Sequence, residues 1–150
     1  LPHQQEVTIR MSRVDFYVLS ADALDARLRY ACRLAERAVE QGCRTYIQAS
    51  DPQRLDDLLW TFSDGSFLPH EIYRGQEATH ERVMVMVGSE PGPQSHRGLL
   101  INLMDAMPPD VKAYERIAEI VDVDPERKRT ARDRYKQYRE QGCAMESHNL

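Results

Sequence analysis

The strongest constraint on the fold is an alternation of strand-like and helix-like segments in the first third of the chain. Residues of strand type run over 14–19 and 45–49, and helical patterns follow over 23–41 and from Pro52 onwards. Successive strands that are joined by helices pair in parallel, with right-handed crossovers. The alternation therefore predicts a parallel sheet covered by helices on both faces.

Further strands are predicted in the middle of the chain. The continuous apolar runs at 83–87 and 98–103 are typical of strands buried on both faces. The segment 67–72 contains Pro69, which excludes it from the centre of a sheet. These segments predict an α/β fold, a three-layer Rossmann-like sandwich with a mostly parallel sheet of roughly four or five strands.

The end of the chain is predicted to be helical. Pro108 opens a short amphipathic segment, in which four apolar residues share one helical face: Tyr114, Ile117, Ala118 and Val121. A longer helix is predicted from Asp124, a good N-cap, to Gln141, just before Gly142.

Length and composition indicate one soluble domain. The chain has 150 residues, of which 41% are hydrophobic and 29% charged, and no run approaches the ~20 apolar residues of a membrane span. Residues 1–10 precede the first patterned segment, so we treat them as an N-terminal extension and 11–150 as a single domain. Three cysteines without metal-ligand spacing predict free thiols in a reducing cytoplasm: Cys32, Cys43 and Cys143.

The motifs of nucleotide binding and hydrolysis are missing from the sequence. The turn at 19–23 has no glycine, its Asp22 would repel a pyrophosphate, and no G-x-x-x-x-G-K-[ST] or G-x-S-x-G motif occurs. Three histidines match no metal signature: His70, His80 and His96. The sequence thus predicts a sheet without a nucleotide-binding loop, cofactor, metal or enzymatic activity.

The predicted C-terminal helix is basic although the protein is acidic. Residues 124–142 hold seven Lys/Arg and four Asp/Glu, a net charge of +3, which leaves −7 for the rest of a chain of net charge −4. Lys128, Arg132, Tyr135 and Arg139 are spaced by four, three and four residues and share one face. A solvated helix face with internal charge pairs is the alternative interpretation.

Binding partners of two kinds fit a basic helix that carries Tyr135 and Tyr138. A nucleic acid would be held weakly, because the acidic remainder of the protein opposes it. A short acidic peptide needs only two basic side chains and an apolar pocket. Trp60, Phe67 and Val121 are candidate walls for such a pocket, and plain core packing is the alternative for each of them.

Four motifs resemble the chi subunit of the bacterial DNA polymerase III holoenzyme. They are Asp-Phe-Tyr-Val-Leu at 15–19, Leu-Asp-Asp-Leu-Leu-Trp at 55–60, Ser-Phe-Leu-Pro-His at 66–70 and Ala-Arg-Asp-Arg-Tyr-Lys-Gln-Tyr-Arg at 131–139. Their order and spacing are those of the family, and the resemblance spans about 11–142.

The resemblance implies a non-catalytic, cytoplasmic subunit of the clamp-loader assembly, associated with the nucleoid through the replisome and with DNA only indirectly. It implies binding of the psi subunit and of the acidic, Phe-terminated C-terminal tail of single-stranded DNA-binding protein. Carried over by motif, the tail's carboxylates would be held by Lys128 and Arg132, and its terminal phenylalanine by Trp60, Phe67, Val121 and Tyr135.

Other parts of the chain are not assigned to a partner. The segment 71–82 has no clear match in the family, so the sequence locates no psi contact. Arg127, Arg129 and Arg134, on the other faces of the helix, are predicted to be solvated charges. Direct nucleic-acid binding through the same helix remains the alternative function.

Overall fold

The computed structural model describes residues 12–20, 25–62 and 68–150. The predictions for 1–10 and for Phe67 lie outside these ranges.

The described residues form a seven-stranded, all-parallel sheet and three α-helices. The strands are β1 (Arg13–Val18), β2 (Thr45–Gln48), β3 (His70–Ile72), β4 (Val85–Gly88), β5 (Leu99–Asn102), β6 (Arg116–Val121) and β7 (Ala144–Asn149). The helices are α1 (Ala26–Glu40), α2 (Pro52–Thr61) and α3 (Pro125–Glu140), with short 3-10 turns at Gln94–His96 and Val111–Ala113. The strand order is β3-β4-β2-β5-β6-β1-β7, and each neighbouring pair is parallel.

Helices cover both faces of this sheet. Side chains of α1 and α2 pack with one set of alternate strand residues, including Ile101 and Ile120. Side chains of α3 pack with the other set, including Phe16 and Val121. The three-layer α/β sandwich predicted from the sequence is therefore confirmed.

The amphipathic helix predicted from Pro108 is wrong. A 3-10 turn at Val111–Ala113 leads directly into strand β6. Ile117 to Val121 are all buried, because β6 lies inside the sheet and both of its faces are covered. A strand that is buried on both faces lacks the alternation of apolar and polar residues that identifies other strands. The helical spacing of its apolar residues in the sequence was therefore coincidental.

The sheet has more strands than the four or five predicted. Besides β6, it gains β3 at one edge, where a proline-containing segment is tolerated, and β7 at the other. β7 has the polar sequence Ala-Met-Glu-Ser-His-Asn, and most of its residues are exposed. Such a segment carries no hydrophobic alternation, so its pairing with β1 could not be predicted.

Within the described ranges, no helix is both long and apolar enough to cross a membrane.

Candidate functional site

The basic helix begins and ends as the sequence predicts. The side chain of Asp124 accepts a hydrogen bond from the backbone N–H of Arg127 (3.0 Å), and Pro125 occupies the first turn. Gly142 follows the helix with a φ of +84°, a left-handed conformation that favours glycine. These local signals set where α3 begins and ends, and therefore which basic residues belong to the helix.

A small pocket lies between the first half of α3 and the carboxyl ends of β1 and β6. Its volume is about 260 Å³. Most of its lining is apolar or aromatic, with two cations and one serine: Phe16, Val18, Val121, Lys128, Ala131, Arg132, Tyr135 and Ser147. Four of the residues predicted from the sequence are thus brought together: Val121, Lys128, Arg132 and Tyr135.

The floor of the pocket includes residues that the sequence reasoning missed. The ring of Phe16 packs against that of Tyr135, with the centroids 5.2 Å apart. Phe16 and Val18 alternate along β1 and face α3, and Ser147 is the neighbour of Phe16 on β7. Period-two alternation in the first strand was the available signal for Phe16 and Val18, whereas nothing in the sequence pointed to Ser147.

The two cations of the pocket are available to a ligand. Among the described residues, neither Lys128 nor Arg132 has a carboxylate within ion-pairing distance, and Arg132 is exposed. By contrast, Arg127 pairs with Asp122 at 2.8 Å, and Arg129 pairs with Glu126. A carboxylate at the pocket would meet two cations whose charge is not already neutralised.

The row of cations continues beyond the pocket. Lys136 follows Arg132 by four residues, so the two share a face of α3, and both are exposed. Arg139, one turn further on, is exposed as well. The spacing of four was the signal for including Lys136, which the sequence reasoning left out.

Trp60 does not belong to this pocket in the structure. Trp60 lies on α2 and is 56% exposed, and its ring packs against that of His70 on β3 with the centroids 4.6 Å apart. β3 is separated from β6 by four strand spacings, roughly 19 Å, and α2 covers the face opposite to α3. The sequence could not show that α2, which carries Trp60, and α3 lie on different faces of the sheet.

Arg134 is not the solvated charge that the sequence predicts. It is 4% exposed, and its Nε atom donates to the carboxylate of Glu119 (3.2 Å). A second nitrogen, Nη1, donates to the backbone oxygen of Asp105 (3.1 Å). A lone acid in the apolar run Ile-Ala-Glu-Ile-Val was the available signal, since a buried carboxylate needs a cation or several donors.

Glu119 is completely buried and accepts further hydrogen bonds. The hydroxyl of Tyr138 donates to Oε2 (2.6 Å), and so does the amide of Asn102 (2.9 Å). Burial raises the pKa of Glu119, while the Arg134 guanidinium and these donors act against that rise. The pKa of Tyr138 is raised in turn, first by burial and then by the neighbouring carboxylate.

One cluster has the residue types of a metal site. Ligand atoms of Asp15, Glu146 and His148 lie within 4.8 Å of one another. The guanidinium of Arg13 already contacts both carboxylates, at 3.2 Å from Asp15 and 2.6 Å from Glu146. A cation bound here would have to displace Arg13.

A larger cavity of about 1050 Å³ lies at the amino ends of the strands. Its lining is mostly polar, with Arg44, Arg97 and Glu115 among it, and contains none of the site residues predicted from the sequence. We base the site on the smaller pocket, because it combines an apolar lining with a few charged groups, as ligand sites typically do.

The fold and the pocket define a class of protein, a Rossmann-like α/β sandwich with a candidate binding pocket beneath a basic helix. The family model described as "DNA polymerase III chi subunit, HolC" matches residues 11–146. A Pseudomonas aeruginosa protein named DNA polymerase III subunit chi is 41% identical over 143 residues, covering 93% of this chain and 98% of the relative. Proteins of the same name from Haemophilus influenzae and Escherichia coli are 31% and 28% identical, over 90% and 88% of this chain and 95% and 94% of theirs.

The chain therefore belongs to the chi-subunit family of DNA polymerase III, an accessory subunit of that polymerase.

Proposed function

We propose that this protein is a non-catalytic adaptor that binds the acidic, Phe-terminated C-terminal tail of single-stranded DNA-binding protein and links it to the clamp-loader assembly. The terminal aromatic ring would enter the pocket against Phe16, Val121 and Tyr135. Lys128 and Arg132 would hold the terminal carboxylate and neighbouring acidic side chains. Such an adaptor acts in the cytoplasm and meets DNA only through its partners.

The observation that carries this proposal is an apolar pocket beside two cations, Lys128 and Arg132, that have no acidic partner in the part of the chain that the structure describes. Three other cations of α3 are paired with acids: Arg127 with Asp122, Arg129 with Glu126 and Arg134 with Glu119. Charge-assisted hydrogen bonds of this kind are worth roughly 1.5–3 kcal/mol each. A small pocket and a few such bonds suit a weak, reversible contact with a short peptide.

A psi subunit is the second partner that family membership brings to the proposal. The psi contact would lie away from the pocket, since one surface cannot hold two partners at once.

The direct test is a titration of a fluorescent peptide with an acidic, Phe-terminated sequence. We expect micromolar affinity at low salt, weaker binding as the salt concentration rises, and a loss of roughly tenfold to a hundredfold for Arg132→Ala. Amidation of the peptide's C-terminus should weaken binding too, because it removes the terminal carboxylate.

Arg129→Ala is the matched control for that titration. It removes the same charge from the same helix, but Arg129 is paired with Glu126 and does not line the pocket. No binding by the wild type at low salt, or equal binding by wild type and Arg132→Ala, would contradict the proposal. Tight binding of single-stranded DNA with a steep salt dependence would instead favour the nucleic-acid alternative.

A further inference from the structure

The buried ion pair of Glu119 and Arg134 lies directly beside the candidate pocket. Glu119 is two residues before Val121 on the same face of β6, and its neighbour on β1 is Phe16. Val121 and Phe16 both line the pocket. The polar network and the pocket floor therefore share the same strip of the sheet.

The network holds α3 from several directions. Arg134 reaches Glu119 on β6 and the backbone of Asp105 after β5, while Tyr138, one turn further along, reaches Glu119 as well. Asn102 ties the end of β5 to the same carboxylate. Contacts at two successive turns fix both the rotation of the helix about its axis and its position along that axis.

Apolar packing alone would fix α3 less well. The apolar contacts of α3 come from the methyl group of Ala131 and from the rings of Tyr135 and Tyr138 on Phe16. Contacts of this kind tolerate small sliding and rotation of the helix. Directional hydrogen bonds do not tolerate it, because a buried partner left unpaired is costly. Buried ion pairs often contribute little net stability, so their effect is best sought in the geometry they select.

We propose that Glu119 and Arg134 are positioning residues, which set the rotation of α3 so that Lys128, Arg132 and Tyr135 meet over the pocket. The proposal rests on the proposed function for its consequence, peptide affinity, but not for its geometry. Tyr138 connects the ion pair to the pocket. Its hydroxyl donates to Glu119, and its ring packs on Phe16 with the centroids 6.0 Å apart.

Arg134→Met is the variant that tests this proposal. It keeps the bulk of the side-chain stem, and Glu119 retains its bonds from Tyr138 and Asn102. We expect the folded variant to bind the acidic peptide about tenfold more weakly than the wild type. We also expect the nuclear Overhauser contacts between the rings of Phe16 and Tyr135 to weaken in the free protein.

Two controls separate positioning from charge and from stability. Arg129→Ala removes an equal charge from α3 and should leave the ring contacts intact. Leu55→Ala creates a cavity under α2, on the opposite face, and should lower stability while leaving both the ring contacts and the affinity unchanged.

The outcomes are distinguishable. A folded Arg134→Met with wild-type ring contacts and wild-type affinity would overturn the proposal. If the wild type binds no peptide, the proposed function fails, and the ring contacts alone decide on the positioning role. If Arg134→Met does not fold, Arg134→Lys, which keeps the charge but loses the planar fork, is measured in its place with the same two readouts.

Discussion

His96 has both ring nitrogens committed although it is completely buried. Nε2 lies 2.6 Å from the backbone oxygen of Val83, which can only accept, so this nitrogen carries the proton. The hydroxyl of Ser95 then donates to Nδ1, at 2.7 Å. Burial lowers the pKa of His96 and outweighs the bond to Val83, which acts in the opposite direction.

We expect this arrangement to make the stability of the fold sensitive to mild acid. The folded pKa lies below the unfolded value of about 6.5, so the unfolded chain binds a proton first as the pH falls. We expect the free energy of unfolding to decrease as the pH falls below about 6.5. His96 alone contributes at most about 1.4 kcal/mol per pH unit, and this contribution stops changing once the pH is below the pKa of His96 in the folded protein.

Urea unfolding at pH 7.5 and pH 5.5 measures the effect. The stability difference between wild type and His96→Gln should shrink at the lower pH. The difference between wild type and Leu55→Ala, a buried substitution that removes no titratable group, is the control and should not shrink in this way. A difference that stays constant between the two pH values would contradict this account of His96.

Single residues also show where sequence reasoning succeeds and where it stops. Arg127 and Arg129 pair with Asp122 and Glu126, acids five and three residues before them, and both arginines are exposed. Arg134 looks the same in the sequence, yet its partner Glu119 lies fifteen residues before it, on a strand. Only the packing of α3 on β6 tells these arginines apart.

At the scale of elements, α3 depends on its amino-terminal cap. Asp124 is a side-chain acceptor for a backbone N–H that would otherwise lack a partner. We expect Asp124→Ala to lower the free energy of unfolding by about 1 kcal/mol in urea titrations. Asp133→Ala, an exposed change in the middle of the same helix, is the control and should cost less than half of that.

The sequence predicts a helix where β6 lies and does not predict β7, for two different reasons. β6 was mistaken for a helix because a strand buried on both faces has no polar face to reveal its period. β7 was not predicted because its side chains are mostly exposed, and its place in the sheet comes from backbone pairing with β1. Local composition carries little information about either case.

At the scale of the whole molecule, the sheet separates two aromatic sites that the sequence suggested were one. Trp60 packs on His70 near the β3 edge, and Tyr135 packs on Phe16 near the β7 edge. We therefore expect Trp60→Ala to leave the affinity for the acidic peptide unchanged within about twofold, while Tyr135→Ala weakens it by roughly tenfold.

Peptide titration of the two variants side by side provides the measurement, with circular dichroism as a check that both are folded. A clear loss of affinity in Trp60→Ala would mean that the peptide reaches across to α2. That result would require a different path for the peptide than the pocket beneath α3.

The sequence by itself determined the parallel α/β class, the beginning of α2, both ends of α3, and the basic face that carries Lys128 and Arg132. Each of these depends on interactions within a few residues, such as caps, helical spacing and strand–helix alternation, which a linear pattern records directly. The tertiary structure decided which arginine is buried, where Trp60 lies and how the last strand joins the sheet. Those outcomes depend on residues far apart in the chain, as with Asp15 and His148, 133 positions apart and 3.0 Å between their bonded atoms. Such contacts are set by how the layers pack, and packing involves the whole chain at once.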